Sequence, residues 1–219
     1  MGEWLADHFI EIFGALTGIL YVFLEIRQNI LLWPLGIITS AVYIYVFREN
    51  GFYAGMVLQF YYVVISVYGW RVWSREQGAW GSDPPAGGEQ TDSGAAGNEQ
   101  GKGMIVRRID FKTGVICAVV AIVLWGGLWY TLDRWTDSPV PLWDGLITSM
   151  SVVATWMLTR KILEQWHVWI FANVVATVVY LAVGMYPTAI LFMVYAVMAV
   201  AGLREWRKSR VEENKYETS

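Results

Sequence analysis

Two sets of polar and aromatic residues lie inside strongly apolar stretches of this chain, where polar groups are costly and tend to serve a function. Gln59, Tyr62 and Ser66 stand at i, i+3 and i+7, so a helix presents them on one face. Trp166, Trp169 and Asn173 have the same spacing. Together the two faces offer two indoles, two amides, a phenol and a hydroxyl. The face of an indole attracts an aromatic cation. The amides of Gln59 and Asn173 both donate and accept, which suits the hydroxyls of a sugar. Ser40 and Tyr43, with Thr39 beside them, form a weaker third set. A structural reading competes: Trp and Tyr anchor helices at bilayer interfaces, and amides tie helices together.

Other chemistry finds no residues to carry it. No Asp, Glu, Lys, Arg or His falls near the middle of an apolar stretch, so a proton relay is not expected. His8 and His167 are far apart, and the lone Cys117 sits in an apolar run. That pattern gives no disulfide framework, no metal site and no nucleophile paired with a base. The expectation is a chain with no catalytic residue, metal or cofactor. A net charge of -3 with no basic block gives no reason to expect a nucleic-acid partner.

The elements that must position these residues are membrane helices. Of the 219 residues 56% are hydrophobic and only 16% charged, too apolar a balance for a soluble domain of this size. A helix needs about 20 apolar residues to cross the hydrocarbon core. Seven stretches qualify: Phe9–Leu24, Leu31–Phe47, Phe52–Val72, Thr113–Leu132, Gly145–Thr159, Trp166–Val183 and Pro187–Leu203. Backbone groups in lipid must be satisfied internally, so these stretches are helices. With seven spans, one side of the membrane carries only Arg48 and Arg134, and the other carries the remaining fourteen Lys and Arg. The positive-inside rule then predicts an N-terminus outside the cell and a cytoplasmic C-terminus. The acidic N-terminal stretch has no Lys or Arg and does not read as a signal peptide.

The chain also repeats itself. A shift of 133 aligns residues 18–75 with 151–208 without a gap, and fourteen of those positions are identical. The matches include Arg27 with Arg160, Trp33 with Trp166, Tyr62 with Tyr195, Gly69 with Gly202 and Trp73 with Trp206. Three spans per repeat is an odd number, so the extra span between the repeats restores their common orientation. The expected fold is all-α and transmembrane, with two parallel three-helix repeats joined by a linker helix and the ligand between the repeats. The expected division is 1–76 for the first repeat, 77–111 for a flexible cytoplasmic linker, 112–134 for the linker helix, 135–208 for the second repeat and 209–219 for a tail. Within 77–103 the Gly, Ser, Glu and Gln content supports the linker. Gln59 aligns with Phe192, Asn173 with Ser40, and Trp169 with Gly36. A packing role should be common to both repeats, whereas contact with an asymmetric ligand need not be. The mismatched positions are therefore the better binding candidates. Asp144 is expected to cap the fifth helix, and Arg160, Lys161 and Glu164 to form a solvated or paired helix end.

Several motifs resemble the PnuC family of nicotinamide riboside transporters. They are Trp166-His167-Val168-Trp169 with Asn173, Thr159-Arg160-Lys161 before it, Trp143-Asp144, and Tyr53-Ala54 through Leu58-Gln59 to Tyr68-Gly69-Trp70 and Trp73. The resemblance covers nearly the whole chain outside the linker and tail. It implies facilitated diffusion of a phosphate-free nucleoside across the inner membrane, drawn in by a cytoplasmic kinase that traps the product. It also implies that Trp166, Trp169, Asn173 and Gln59 touch the substrate. Thiamine, also an aromatic cation with a hydroxyl, is the alternative cargo, with riboflavin behind it. Outside the transporters, an integral-membrane enzyme lacks its residues here. A non-transporting scaffold or sensor would leave Gln59 and Asn173 without a ligand.

Overall fold

The computed structural model describes residues 9–49, 53–81, 106–136 and 138–217. They form seven helices: α1 Phe9–Ile26, α2 Leu32–Glu49, α3 Tyr53–Gly81, α4 Phe111–Trp135, α5 Pro141–Thr159, α6 Gln165–Ala182 and α7 Tyr186–Glu217. No β-strand occurs among the described residues; Arg107 and Ile162 make one isolated bridge. Helix α3 continues to Gly81, into the stretch expected as linker, and α7 continues to Glu217, into the expected tail. Residues 82–105, which include most of the low-complexity stretch at 77–103, lie outside the described residues.

The helix ends follow local chemistry. Asp110 caps α4: its carboxylate accepts the Thr113 backbone N–H at 3.1 Å, and those Thr113 hydrogen bonds hold the carboxyl below its ordinary range. Pro141 opens α5, where its missing N–H costs nothing. Helices α1 and α5 end in the same way. Gln28 (φ 51°) and Lys161 (φ 52°) are both left-handed, and they are related by the 133-residue shift. The Gln28 N–H donates to the Glu25 carbonyl and the Asn29 N–H to the Leu24 carbonyl. In α5 the Lys161 N–H donates to Leu158 and the Ile162 N–H to Met157. Both are Schellman turns, one in each repeat.

Packing follows the repeat as well. Trp33 lies under Gly69 and meets Trp73 edge-on, ring centroids 5.3 Å apart. Trp166 lies under Gly202 and meets Trp206 edge-on at 5.5 Å. All four indoles are buried, and they anchor one hydrophobic core across the two repeats. The helices close a ring in the order α1, α2, α3, α5, α6, α7, with α7 returning to α1. The α3–α5 and α7–α1 seams are equivalent under the repeat. Helix α4 stands outside the ring against α5, where Gly145 admits the Trp129 backbone and the Trp125 indole N–H donates to the Leu142 carbonyl at 2.9 Å. The fold is thus two parallel three-helix repeats with α4 as the linker helix.

The outside of the ring is apolar. Leu16, Leu20 and Phe23 on α1, Val57, Phe60 and Val64 on α3, and Phe171, Val174 and Val178 on α6 are exposed at helical spacing. A belt of this extent needs lipid to cover it. By length and hydropathy alone, three helical stretches among the described residues are sufficient to cross a membrane: Phe111–Trp135, Gln165–Ala182 and Tyr186–Arg210.

One expectation changes and another is narrowed. Asp144 does not cap α5, whose N-cap is Val140 without a side-chain bond. The Asp144 carboxylate instead accepts the Ser138 hydroxyl, and the Tyr180 hydroxyl at 3.3 Å, joining the α5 entry to α6. The α5–α6 turn is not merely a solvated end. Lys161 is buried, its Nζ 3.0 Å from the Glu76 carboxylate and 4.5 Å from the centre of the Trp73 ring. The segment entering α4 is stitched to the same turn, because Arg107 donates to the Lys161 carbonyl and accepts from the Leu163 N–H. Arg160 stays exposed, over the Tyr68 and Trp156 rings.

Candidate functional site

The six ring helices enclose a cavity of about 470 Å³. Its walls are built by pairs that the repeat relates. Gln59 and Phe192, Ser40 and Asn173, Gly36 and Trp169, Tyr62 and Tyr195, Ser66 and Ala199 all line it. The cavity therefore lies on the pseudo-twofold axis, and most of these pairs break the symmetry in chemistry. One wall carries an amide where its mate carries a phenyl ring. One carries an indole where its mate is bare backbone.

All eight residues singled out from the sequence line this cavity: Gln59, Tyr62 and Ser66 from α3, Ser40 and Tyr43 from α2, and Trp166, Trp169 and Asn173 from α6. Thr39 joins them. The two three-residue faces read from sequence thus meet across one space. Trp33, the repeat mate of Trp166, does not line it. Trp166 consequently has two roles, as core to its own repeat and as wall to the cavity.

Sequence reasoning missed the contribution of α1 and most of α5. Thr17, Gly18, Tyr21 and Glu25 come from α1, and Thr148, Ser151 and Thr155 from α5. Gly14 and Gly18 leave room on α1 for the hydroxyl ends of Tyr43 and Tyr195, which a Cβ at either position would displace. Gly36 leaves similar room, since a Cβ there would stand 2.9 Å from the Ser66 hydroxyl. The repeat held one signal for these residues. Tyr195 is the mate of Tyr62, and a cavity on the axis must use both. Glu25 escaped because α1 was expected to end at Leu24; it runs to Ile26, and Glu25 is buried within its last turn.

Three of the wall hydroxyls act only as acceptors. Thr17, Ser151 and Thr155 give their protons to carbonyls of their own helices at 2.7–2.8 Å, so only their oxygen lone pairs remain for a guest. The Trp166 and Trp169 indole N–H groups are buried without an acceptor. A guest with hydroxyls and a flat ring can satisfy both kinds of group. Among the described residues no cluster of His, Cys, Asp and Glu could hold a metal ion.

Comparisons with known proteins identify the family and the fold. A family model described as "Nicotinamide mononucleotide transporter" matches residues 8–208. The chain is 25% identical over 212 residues to the nicotinamide riboside transporter PnuC of Escherichia coli (strain K12), covering 93% of this chain and 87% of that protein. It is 21% identical over 197 residues to the riboflavin/roseoflavin transporter RibM of Streptomyces davaonensis, covering 90% and 83%. The crystal structure of the vitamin B3 transporter PnuC superposes with a TM-score of 0.66 at 21% identity, over 94% of this chain and 84% of that one. That likeness establishes the common fold.

Proposed function

Since the chain belongs to the PnuC family of multi-pass membrane transporters, we propose that its cargo is nicotinamide riboside, bound in the cavity between the repeats. One observation carries this reading. The cavity joins the indoles of Trp166 and Trp169 to the amides of Gln59 and Asn173 across the pseudo-twofold axis. The cationic pyridine ring stacks on the indoles. The ribose hydroxyls bond to the amides and donate to the hydroxyl oxygens of α5. Tyr62, Ser66, Ser40 and Tyr43 complete the pocket.

The rest of the proposal concerns direction. The N-terminus faces outward and the C-terminus the cytoplasm, in the inner membrane, as the charge asymmetry supports. The linker between the first repeat and the linker helix, expected at 77–111, lies on the cytoplasmic side. Transport is facilitated diffusion, and a cytoplasmic kinase makes it directional by phosphorylating the cargo. Thiamine satisfies the same indoles and amides and is the second reading.

Purified protein in liposomes tests this. Labelled nicotinamide riboside should equilibrate across the bilayer without an ion gradient. It should accumulate only when a nicotinamide riboside kinase and ATP are enclosed. Accumulation driven by a pH gradient without the kinase would reject facilitated diffusion. Binding of thiamine but not nicotinamide riboside would transfer the cargo assignment.

A further inference from the structure

We propose that Glu25 is a specificity-determining residue, the counter-charge by which this cavity selects a vitamin with a positively charged ring over a neutral one. The proposal rests on the transport reading above and deepens it to a class of substrate.

Glu25 is 2% exposed and lines the cavity from the last turn of α1. Its Oε1 is buried without a hydrogen-bond partner. Among the described residues, no Lys, Arg or His forms an ion pair with it. The nearest cation in sequence, Arg27, is exposed and lies over the Phe23 ring at 5.8 Å. A buried carboxyl group with one oxygen unpartnered and no cation paired to it is costly to ionise. A cationic ring entering the cavity removes that cost. The faces of Trp166 and Trp169, on the same cavity, attract the same cation.

The repeat shows that the fold does not require the charge. The mate of Glu25 is Leu158, fully buried, and both residues precede the same left-handed turn. An identical backbone is thus built with leucine in one repeat and glutamate in the other. The position of Glu25 is fixed from outside α1, because the Trp206 indole N–H donates to its carbonyl at 3.2 Å. A neutral isoalloxazine would leave the carboxylate unpaired, whereas pyridinium or thiazolium would pair with it.

The test compares two guests of nearly one shape. Nicotinamide riboside has a cationic ring, and its 1,4-dihydro form has a neutral ring on the same ribose. Binding to the purified full-length protein is measured by calorimetry for wild type, Glu25→Gln and Glu25→Asp, with thiamine and riboflavin as further ligands. Wild type should prefer the cation. Glu25→Gln should weaken the cation on the order of tenfold or more and leave the dihydro form within about twofold. Glu25→Asp should keep the preference, and unliganded Glu25→Gln should melt no lower than wild type. An equal loss for both guests, or no loss for either, would overturn the proposal, as would a wild type that favours the dihydro form or riboflavin. If Glu25→Gln does not fold, Glu25→Leu, which carries the residue of the repeat mate Leu158, takes its place in the same comparison. A wild type that binds none of the four ligands overturns the transport reading itself, and this proposal with it.

Discussion

The two glycine–indole contacts give the sharpest prediction, since the same lesion can be placed once in each repeat. A methyl at Gly69 would meet Trp33 Cζ2 at 2.5 Å and Cζ3 at 2.6 Å, and at Gly202 it would meet Trp166 Cζ2 and Cζ3 both at 2.5 Å. Ordinary carbon contacts are about 3.5–4.0 Å, so each indole must move by roughly an ångström. Neither ring has room, because each is buried and held edge-on by a second indole. Overpacking of this kind costs about 1–3 kcal/mol or more, and the helix propensity of alanine over glycine returns about 1 kcal/mol. Gly69→Ala and Gly202→Ala should therefore each destabilise by up to about 2 kcal/mol or more, and 2 kcal/mol is a fall of about 4–8 °C in melting temperature. Gly126→Ala on α4 is the control, since no heavy atom lies within 4 Å of a Cβ there. It should be neutral or stabilising by up to about 1 kcal/mol. Ligand binding separates the first two variants. Trp166 lines the cavity and Trp33 does not, so Gly202→Ala should weaken nicotinamide riboside much more than Gly69→Ala. Thermal unfolding in detergent and calorimetric titration read the two effects. A Gly202→Ala protein that melts with Gly126→Ala would refute the close approach. Equal binding losses from Gly69→Ala and Gly202→Ala would refute the asymmetric use of the two indoles.

Asn173→Ala and Gln59→Ala should each lower affinity for nicotinamide riboside by about 0.5–1.5 kcal/mol while leaving the melting temperature near wild type; affinities unchanged in both would return these amides to a purely structural role. Glu76→Gln removes the carboxylate 3.0 Å from the buried Lys161 ammonium and should cost about 1–3 kcal/mol in thermal unfolding. Arg107→Ala breaks a pair to the same carboxylate in which both side chains are partly exposed, so its loss should stay below about 1 kcal/mol, and a larger loss than Glu76→Gln would contradict the ranking. Gln28→Gly relieves a left-handed backbone at φ 51° and should stabilise by up to about 1 kcal/mol, whereas Lys161→Gly at φ 52° should destabilise through the lost ammonium; the same sign for both would show that backbone strain governs the two turns alike.

Composition settled the environment of this chain before any coordinates. An apolar fraction of 56% cannot be hidden in the interior of 219 residues, so lipid had to cover the excess. The 133-residue shift then dictated parallel repeats, because an odd number of spans needs one more helix to restore orientation. The mismatches between repeats marked Gln59, Asn173 and Trp169, since helical spacing already put each on a face with its neighbours. Those features are local or periodic, and a sequence records them directly.

The contribution of α1 was not legible in that way. Whether Glu25 caps a helix in water or closes a cavity depends on where α1 ends and on which helix covers it. Both follow from the α7–α1 seam and from Trp206, which lies far along the chain. Lys161 shows the same limit. Beside Arg160 and Glu164 it reads as a solvated or paired end, and only the left-handed turn that carries it inward to Trp73 and Glu76 on α3 shows which. The sequence by itself determined the membrane, the repeat and the polar faces, because each is written within one helix or one fixed shift. Only the tertiary structure decided which charges are buried, because burial is a property of the neighbour that arrives and not of the residue that waits.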